Sequence, residues 1–400
     1  MERLTLTQQP DFAYSFTMDI EELTCPYCAG RLKPWDIEWG DGLFECSCNL
    51  WPFLSGILVL KREKATEKAV HLIKKGKARS AAFNLLMKES WSPFFAWAAL
   101  HRISFYRTMG LWGFRFWTEY TRYRFSAPSF LSFLPLVSAI REKGSLLDFG
   151  CGNGHTAFIL SKWIDPKNIT LCDKNFANLY LARKLFAKET GFFCLDGNFP
   201  LPFKDKNFSS ILCSDSFHFV EAKAGLSLEF MRVLDEQGAI FLSHLHNKGK
   251  ENPITGYPLA LQDYLRLFGK MEHKTYTELK LRESLSIGKL NLKDTDDIKN
   301  SSAFSLILSR TQEIFKEYDT SKILTENLKN PIINPIYKIK KLKAGYIIKR
   351  RKLSKLYKRE YPEVEQYIKK AGFIYKKDVA NRNEALLRSL ILIDAPEGYV

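Results

Sequence analysis

LLDFGCGNGH, residues 146–155, sets the reading of the whole chain. A run of apolar residues breaks into glycine at every second position, Gly150, Gly152 and Gly154, with Asp148 two places before the first. Glycine at such density marks backbone that needs positive φ or lets a ligand press against it. With SLLDFG as a strand and HTAFILSKWI as a helix, the three glycines form the turn between them. The first amides of that helix have no partner within it, so the turn can accept a polar group. It is not the dinucleotide fingerprint G-x-G-x-x-G, whose last position here falls on His155.

Outward from the turn, strand-like and helical runs alternate from Gly144 to about Arg310. SLLDFG, NITLCD, GFFCLDG, SSILCSD and GAIFLSHL read as strands; HTAFILSKWI, FANLYLARKLFAKET and AGLSLEFMRVLDEQ read as helices between them. That alternation predicts parallel strands with crossover helices, an α/β doubly wound sheet. HKTYTELKLRESLSIGKL and SAFSLILSR are read as two further strands. The second strand ends in Asp173, where a carboxylate meets ribose hydroxyls in such sheets, and the third ends in Asp196. Asp215 and His218 in SDSFHFV, and His244, His246 and Asn247 in SHLHN, fall at the carboxyl ends of the fourth and fifth strands, where open sheets bind ligands. Residues two apart on a strand share a face, so His244 and His246 point the same way.

LLDFGCGNG, LCDKN, CLDGNFPLPFKDKNFSSILCSDSFHFV and EFMRVLDEQGAIFL, in that order, resemble the successive motifs of class I S-adenosylmethionine-dependent methyltransferases. The resemblance spans roughly residues 145–245 and implies a Rossmann-like methyltransferase sheet. It implies that Asp148, Gly150, Gly152 and Gly154 line the methionine and ribose side of S-adenosylmethionine, that Asp173 binds the ribose hydroxyls, and that Asp196 lies beside the adenine. One departure is Ser209, where the family commonly has an acidic residue; it bears on a local turn. His218, His244 and His246 are the candidates for acceptor contact or general base, although each also fits a structural hydrogen-bonding role.

Cys25 and Cys28 in CPYC, then Cys46 and Cys48 in CSC, are separated by seventeen residues and form a candidate four-thiolate zinc site; a closed set of four is structural. The second pair is C-x-C, a tighter knuckle than the common C-x-x-C. This segment is similar to the zinc-ribbon unit that precedes some methyltransferase domains, with Trp51-Pro52 and Gly56-Ile57-Leu58 where Tyr-Pro and Gly-Ile-Pro often stand. In such proteins the unit serves to position a substrate, ribosomal RNA in one case. Cys151, Cys172, Cys194 and Cys213 fall at apolar runs and read as compact core filling.

Residues 61–90 are rich in Ala, Lys, Glu and Leu, a helical composition. From Trp91 to Pro135, 15 of 45 residues are aromatic, interleaved with Arg102, Arg107, Arg115, Arg122 and Arg124; they are read as helices packed over the sheet or as a lid. The formal charge is +16, and residues 338–377 hold 15 Lys or Arg against 3 Glu. That basic run is read as part of a mainly helical C-terminal extension, either a solvated face or a phosphate-binding patch.

The expected division is therefore 1–60 as a zinc-ribbon-like unit, 61–140 as an aromatic helical lid, 141–310 as the cofactor-binding domain and 311–400 as the basic extension. No window is apolar enough to span a membrane and the first sixteen residues lack export features, so the expected address is the cytoplasm. The leading expectation is methyl transfer to a small-molecule or carrier-linked acceptor. An RNA methyltransferase and an inactive partner-binding domain are the competing readings.

Overall fold

The computed structural model describes residues 22–400 except positions 39, 102, 113, 114 and 255. The N-terminal sixteen residues, Arg102 and the side chain of Arg115 thus lie outside the described residues.

One eleven-stranded sheet organises the chain. Its strands are β1 (Lys33–Glu38), β2 (Asp41–Cys46), β3 (Asn49–Leu54), β4 (Ile57–Leu60), β5 (Leu146–Phe149), β6 (Ile169–Asp173), β7 (Gly191–Leu195), β8 (Phe208–Ser214), β9 (Leu234–His246), β10 (Glu272–Thr277) and, after the short β11 (Lys289–Asn291), β12 (Ala303–Ser309). Their spatial order is β1-β2-β3-β4-β7-β6-β5-β8-β9-β12-β10. From β4 to β9 every pairing is parallel; β12 runs antiparallel to β9. The order reverses at β5, which pairs with both β6 and β8.

β5 to β8 are buried throughout, as parallel strands covered on both faces require. Alternate side chains serve two cores. Leu146, Leu171, Phe192 and Leu212 face one, with Phe158 and Ala177; Leu147, Cys172, Phe193 and Ile211 face the other, with Leu226 and Phe230. The helices α7 (His155–Leu160) and α8 (Phe176–Leu181) therefore cover one face, and α9 (Lys223–Val233) covers the opposite one. Cys172, Cys194 and Cys213 are buried among these apolar residues.

The cysteine-bearing segment joins this sheet directly. β4 lies parallel to β7, with Ile57 opposite Phe192 and Val59 opposite Cys194. α1 (Lys64–Lys74), α2 (Ala78–Ser90), α3 (Pro93–Leu100), α4 (Phe105–Met109), α5 (Arg115–Arg122) and α6 (Pro128–Phe133) then lead back to β5. The aromatic stretch does two jobs. Phe95, Phe105, Phe125, Phe130 and Phe133 are buried in the core, while Trp91, Phe94 and Trp97 are exposed.

Two expectations change. HKTYTELKLRESLSIGKL supplies β10 for its first third only; Thr277 caps the helix α11 (Glu278–Ile287), its hydroxyl accepting from the Lys280 amide. The C-terminal extension is not mainly helical. It contains β13 (Glu317–Asp319), β14 (Pro331–Ile333), β15 (Tyr337–Lys341), β16 (Gly345–Arg350), β17 (Ala371–Tyr375) and β18 (Leu392–Asp394), with short helices such as α12 (Lys355–Glu360) between them. Lysine composition suggested helix in residues 338–350, yet the segment folds as a hairpin. The β-branched pair Ile347 and Ile348 favours strand, and Gly345 fits a spot where a Cβ would lie 2.1 Å from the Ile374 carbonyl oxygen.

Because β4 is paired on both sides, the amides of Ile57–Leu60 are expected to exchange with deuterium as slowly as those of Gly191–Leu195. Hydrogen-exchange mass spectrometry checks this; fast exchange confined to residues 57–60 would mean the cysteine segment opens as a unit of its own.

Candidate functional site

The glycine turn leaves β5 and enters α7, and its three glycines answer to three different constraints. All have positive φ: 72° at Gly150, 55° at Gly152 and 86° at Gly154. A Cβ on Gly150 would meet the Ser216 Cβ at 2.4 Å, and one on Gly154 would meet the Ala182 Cβ at 2.8 Å. At Gly152 nothing lies within 4 Å, because its open face is the floor of a cavity of about 490 Å³. The cavity is walled by the turn, by Asp173 and Asp196, and by Trp112, Trp117, Tyr120, Arg124 and Asp215.

The three carboxylates of the sequence pattern take different positions. Asp173 lies in the cavity wall, accepting from the Gly152 amide at 2.9 Å, the Asn175 amide at 2.8 Å and the Asn178 side chain at 3.2 Å. Asp196 also lines the cavity and accepts from the Asn198 amide at 3.0 Å. Asp148 does not line it, contrary to expectation. It points beneath the turn, where Oδ2 accepts the Thr156 hydroxyl at 2.6 Å and Oδ1 has no partner. Burial pushes its carboxyl up to about 7. Asp148 thus supports the turn from behind, through the first residues of α7.

His155 is enclosed by Phe105, Phe125 and Phe186, and burial holds its pKa well below the usual histidine range. It is a neutral packing residue. Ser209 joins a local turn, its hydroxyl donating to the Ser145 carbonyl at 2.9 Å.

His218, His244 and His246 gather at the carboxyl ends of β8 and β9, but none lines the cavity. Asp215 separates them from it. Its Oδ2 accepts from the Tyr120 hydroxyl and Arg124 Nη1, each at 2.9 Å, while Oδ1 lies 3.7 Å from His244 Nε2 and 4.0 Å from His218 Nε2. His244 sits in a β-bulge at the register shift between β9 and β12, with φ of 55°, and the bulge re-aims its ring; the two rings of His244 and His246 remain 5.2 Å apart. Asn247 instead fixes a loop, donating to the Ser301 carbonyl at 3.1 Å.

Tyr120 and Arg124 belong to the aromatic and arginine stretch that reads as packing or a lid, with nothing local to single them out as site residues, and Glu278, Glu360 and Tyr361 carry no local signal. Glu278 Oε1 is 2.6 Å from His244 Nδ1, Glu360 Oε1 is 3.7 Å from His246 Nε2, and the Tyr361 hydroxyl is 3.5 Å from Asp215. Their partners lie far away in the chain, so only the tertiary fold brings them together.

The four N-terminal sulfurs also converge. All lie within 4.8 Å of one another, with Cys46 to Cys48 at 3.5 Å and Cys25 to Cys48 at 3.7 Å. Sulfurs about 2.3 Å from a tetrahedral zinc ion stand about 3.8 Å apart, so this set fits that ion. Trp51 Nε1 and Arg62 Nη2 donate to Cys46 and Cys48 at 3.3 and 3.1 Å, as expected around thiolates. The set adjoins the loop after β7 that carries Asp196, since the Tyr27 ring packs on Phe199 at 4.8 Å.

Comparison with known proteins matches residues 147–242 to the family described as methyltransferase domain. No curated protein matches the chain. Among solved structures, the YcgJ protein of Bacillus subtilis is similar at 17% identity and a TM-score of 0.34, covering 45% of this chain and 98% of its own. A protein of Thermotoga maritima described as a SAM-dependent methyltransferase gives 17%, 0.35, 52% and 98%. A SAM-dependent methyltransferase from Aquifex aeolicus gives 15%, 0.34, 46% and 98%. No helix among the described residues is long and apolar enough to cross a membrane.

The raised Asp148 pKa has a thermodynamic sign. The unfolded chain releases this proton near pH 4 and the folded chain near 7, so ionisation costs folding progressively between those values and by a constant amount above them. Asp148→Asn removes the cost. The difference in Tm between variant and parent, followed by scanning fluorimetry, is expected to move in the variant's favour from about pH 4 to about pH 7 and then level off. A difference that ignores pH would show that the carboxyl is not held neutral by burial.

Proposed function

We propose, from the match of residues 147–242 to the methyltransferase-domain family, that this chain transfers the methyl group of S-adenosylmethionine to a small molecule, free or carrier-linked. One observation carries the reading: a single cavity joins two unlike walls. The turn, Asp173 and Asp196 form a polar wall; Trp112, Trp117, Tyr120, Arg124 and Asp215 form an aromatic and charged one. A concave site of this size, with aromatic surface and convergent polar groups, suits one small ligand beside another.

In this reading Asp173 accepts hydrogen bonds from the ribose hydroxyls, the bare backbone at Gly152 admits the methionine portion, and Asp196 lies beside the adenine. The bound cofactor supplies an already activated methyl group. The chain contributes binding and orientation, and alignment of the acceptor with the bond to be broken is where such a site gains rate. Tyr120 and Arg124 are pinned to Asp215 Oδ2, which makes them fixed contacts for an acceptor. Arg124 is also held by the Ser129 hydroxyl at 2.5 Å. Tyr120, Arg124 and Asp215, and none of His218, His244 and His246, are the groups at the acceptor wall. Cys25, Cys28, Cys46 and Cys48 hold a structural zinc ion in the same proposal.

An RNA acceptor is the second reading. It draws on the exposed face of the β15–β16–β17 sheet, where Lys338, Lys340 and Lys349 stand beside Ile347, Phe373 and Tyr375. Binding through phosphates there would weaken steeply with salt.

Calorimetry with S-adenosylmethionine is expected to show one site, weakened at least about tenfold in Asp173→Ala through loss of charge-assisted hydrogen bonds. Incubation with methyl-labelled cofactor and fractionated extract should then carry label into the small-metabolite fraction. Label in RNA would transfer the acceptor to the second reading, and absence of cofactor binding would remove both.

A further inference from the structure

Behind the cavity wall lies a cluster of which the methyl-transfer reading uses only Asp215. We propose that Asp215, His244 and His246 bind one divalent first-row transition-metal ion, with Glu360 as an additional carboxylate, and that this ion fixes the acceptor wall from behind.

The ligand atoms are already assembled. One donor atom from each of Asp215, His244 and His246 lies within 4.8 Å of the others, a set brought together by adjacent carboxyl ends of β8 and β9. His244 Nε2 is 3.7 Å from Asp215 Oδ1, and Glu360 Oε1 is 3.9 Å from His244 Nε2 and 3.7 Å from His246 Nε2. These separations are too long for hydrogen bonds. They are close to the edges of a coordination shell, since ligands about 2.1 Å from a tetrahedral ion stand about 3.4 Å apart. An ion would draw the ligands inward from a set that spans up to 4.8 Å.

The imidazoles are otherwise unaccounted for. His244 is 3% exposed and His246 1%, yet His244 Nε2 and both ring nitrogens of His246 lack a hydrogen-bond partner. Native interiors rarely leave such groups unpaired, because each costs its full desolvation. His244 Nδ1 does have a partner, Glu278 Oε1 at 2.6 Å. A carboxylate that accepts a hydrogen bond from Nδ1–H keeps the proton on that nitrogen and leaves the Nε2 lone pair aimed at the cluster, the arrangement by which proteins orient metal-binding histidines. Glu360 is held likewise, its Oε2 accepting the Ile254 amide at 3.3 Å while Oε1 faces the histidines. Backbone strain points to the same place: Asp215 and His244, neighbours across the two strands, have φ of 57° and 55°. Two imidazoles and a carboxylate suit zinc or iron(II) better than magnesium or calcium.

Asp215 is the hinge between the two sites. Oδ1 faces the histidines and Oδ2 holds Tyr120 and Arg124, so an ion on Oδ1 would lock both cavity-lining side chains. That consequence rests on the methyl-transfer reading; the binding itself does not.

The test uses the full chain, stripped with chelator and titrated with cobalt(II), with zinc and iron in the protein as purified measured by mass spectrometry. Two equivalents of cobalt are expected, one showing thiolate-to-metal charge-transfer absorption and one without it. His246→Ala should abolish the second and spare the first, while Cys28→Ser should do the reverse. Should His246→Ala fail to fold, Glu278→Gln is expected to weaken the second site about ten- to hundredfold. A single thiolate-bound equivalent in the parent chain overturns the proposal, as does a second equivalent indifferent to both variants. Parallel calorimetry with S-adenosylmethionine separates the readings: a second cobalt site in a chain that does not bind the cofactor would sink methyl transfer and leave this site standing.

Discussion

The two-sided pairing of β5, to β6 on one flank and β8 on the other, is the constraint from which the molecule follows. Crossovers are right-handed, so chain leaving β5 toward β6 and chain entering β8 must cover opposite faces. Where they part, neither crossover fills the space above the carboxyl ends of the strands. The polar groups that line the cavity lie around that gap: the glycine turn after β5, Asp173 at the end of β6, Asp196 after β7 and Asp215 after β8.

What closes the gap comes from far away in sequence. Tyr120 and Arg124 arrive from the segment before the sheet, Glu360 and Tyr361 from beyond it, and all converge on or near Asp215. The C-terminal chain is also sewn onto the aromatic segment, with the Phe105 and Tyr106 amides donating to the Gly398 and Tyr399 carbonyls at 2.9 and 2.8 Å. The surroundings of Asp215 are therefore a composite of three chain regions, and their shape depends on all of them.

This division explains how much could be read beforehand. The five parallel strands and the turn were legible because buried strands flanked by turn residues are a local signal, and because Gly150 and Gly154 are demanded by contacts that any residue with a side chain would violate. The direction of the Asp148 side chain was not legible, since its Thr156 partner is set by the path of α7 after the turn. The three histidines were visible as a pattern but their place was not: a bulge at His244 and the positive φ at Asp215 turn the group away from the cavity. Residues 338–350 misled because lysine content outweighed the Ala344-Gly345 turn and the paired isoleucines.

The continuation of the sheet through β4 has a colloidal consequence. A doubly wound sheet that ended at β7 would present an unpaired row of amides and carbonyls along an apolar strand, an invitation to stack on another molecule. Here that border is moved outward to β1, where Lys33, Pro34 and a bulge between Trp35 and Glu38 blunt it, and the opposite border, β10, opens with Glu272, His273 and Lys274. Both rims are thereby poor templates for ribbon-like growth, which leaves so wide a sheet free to stay dispersed at the concentrations a working catalyst reaches.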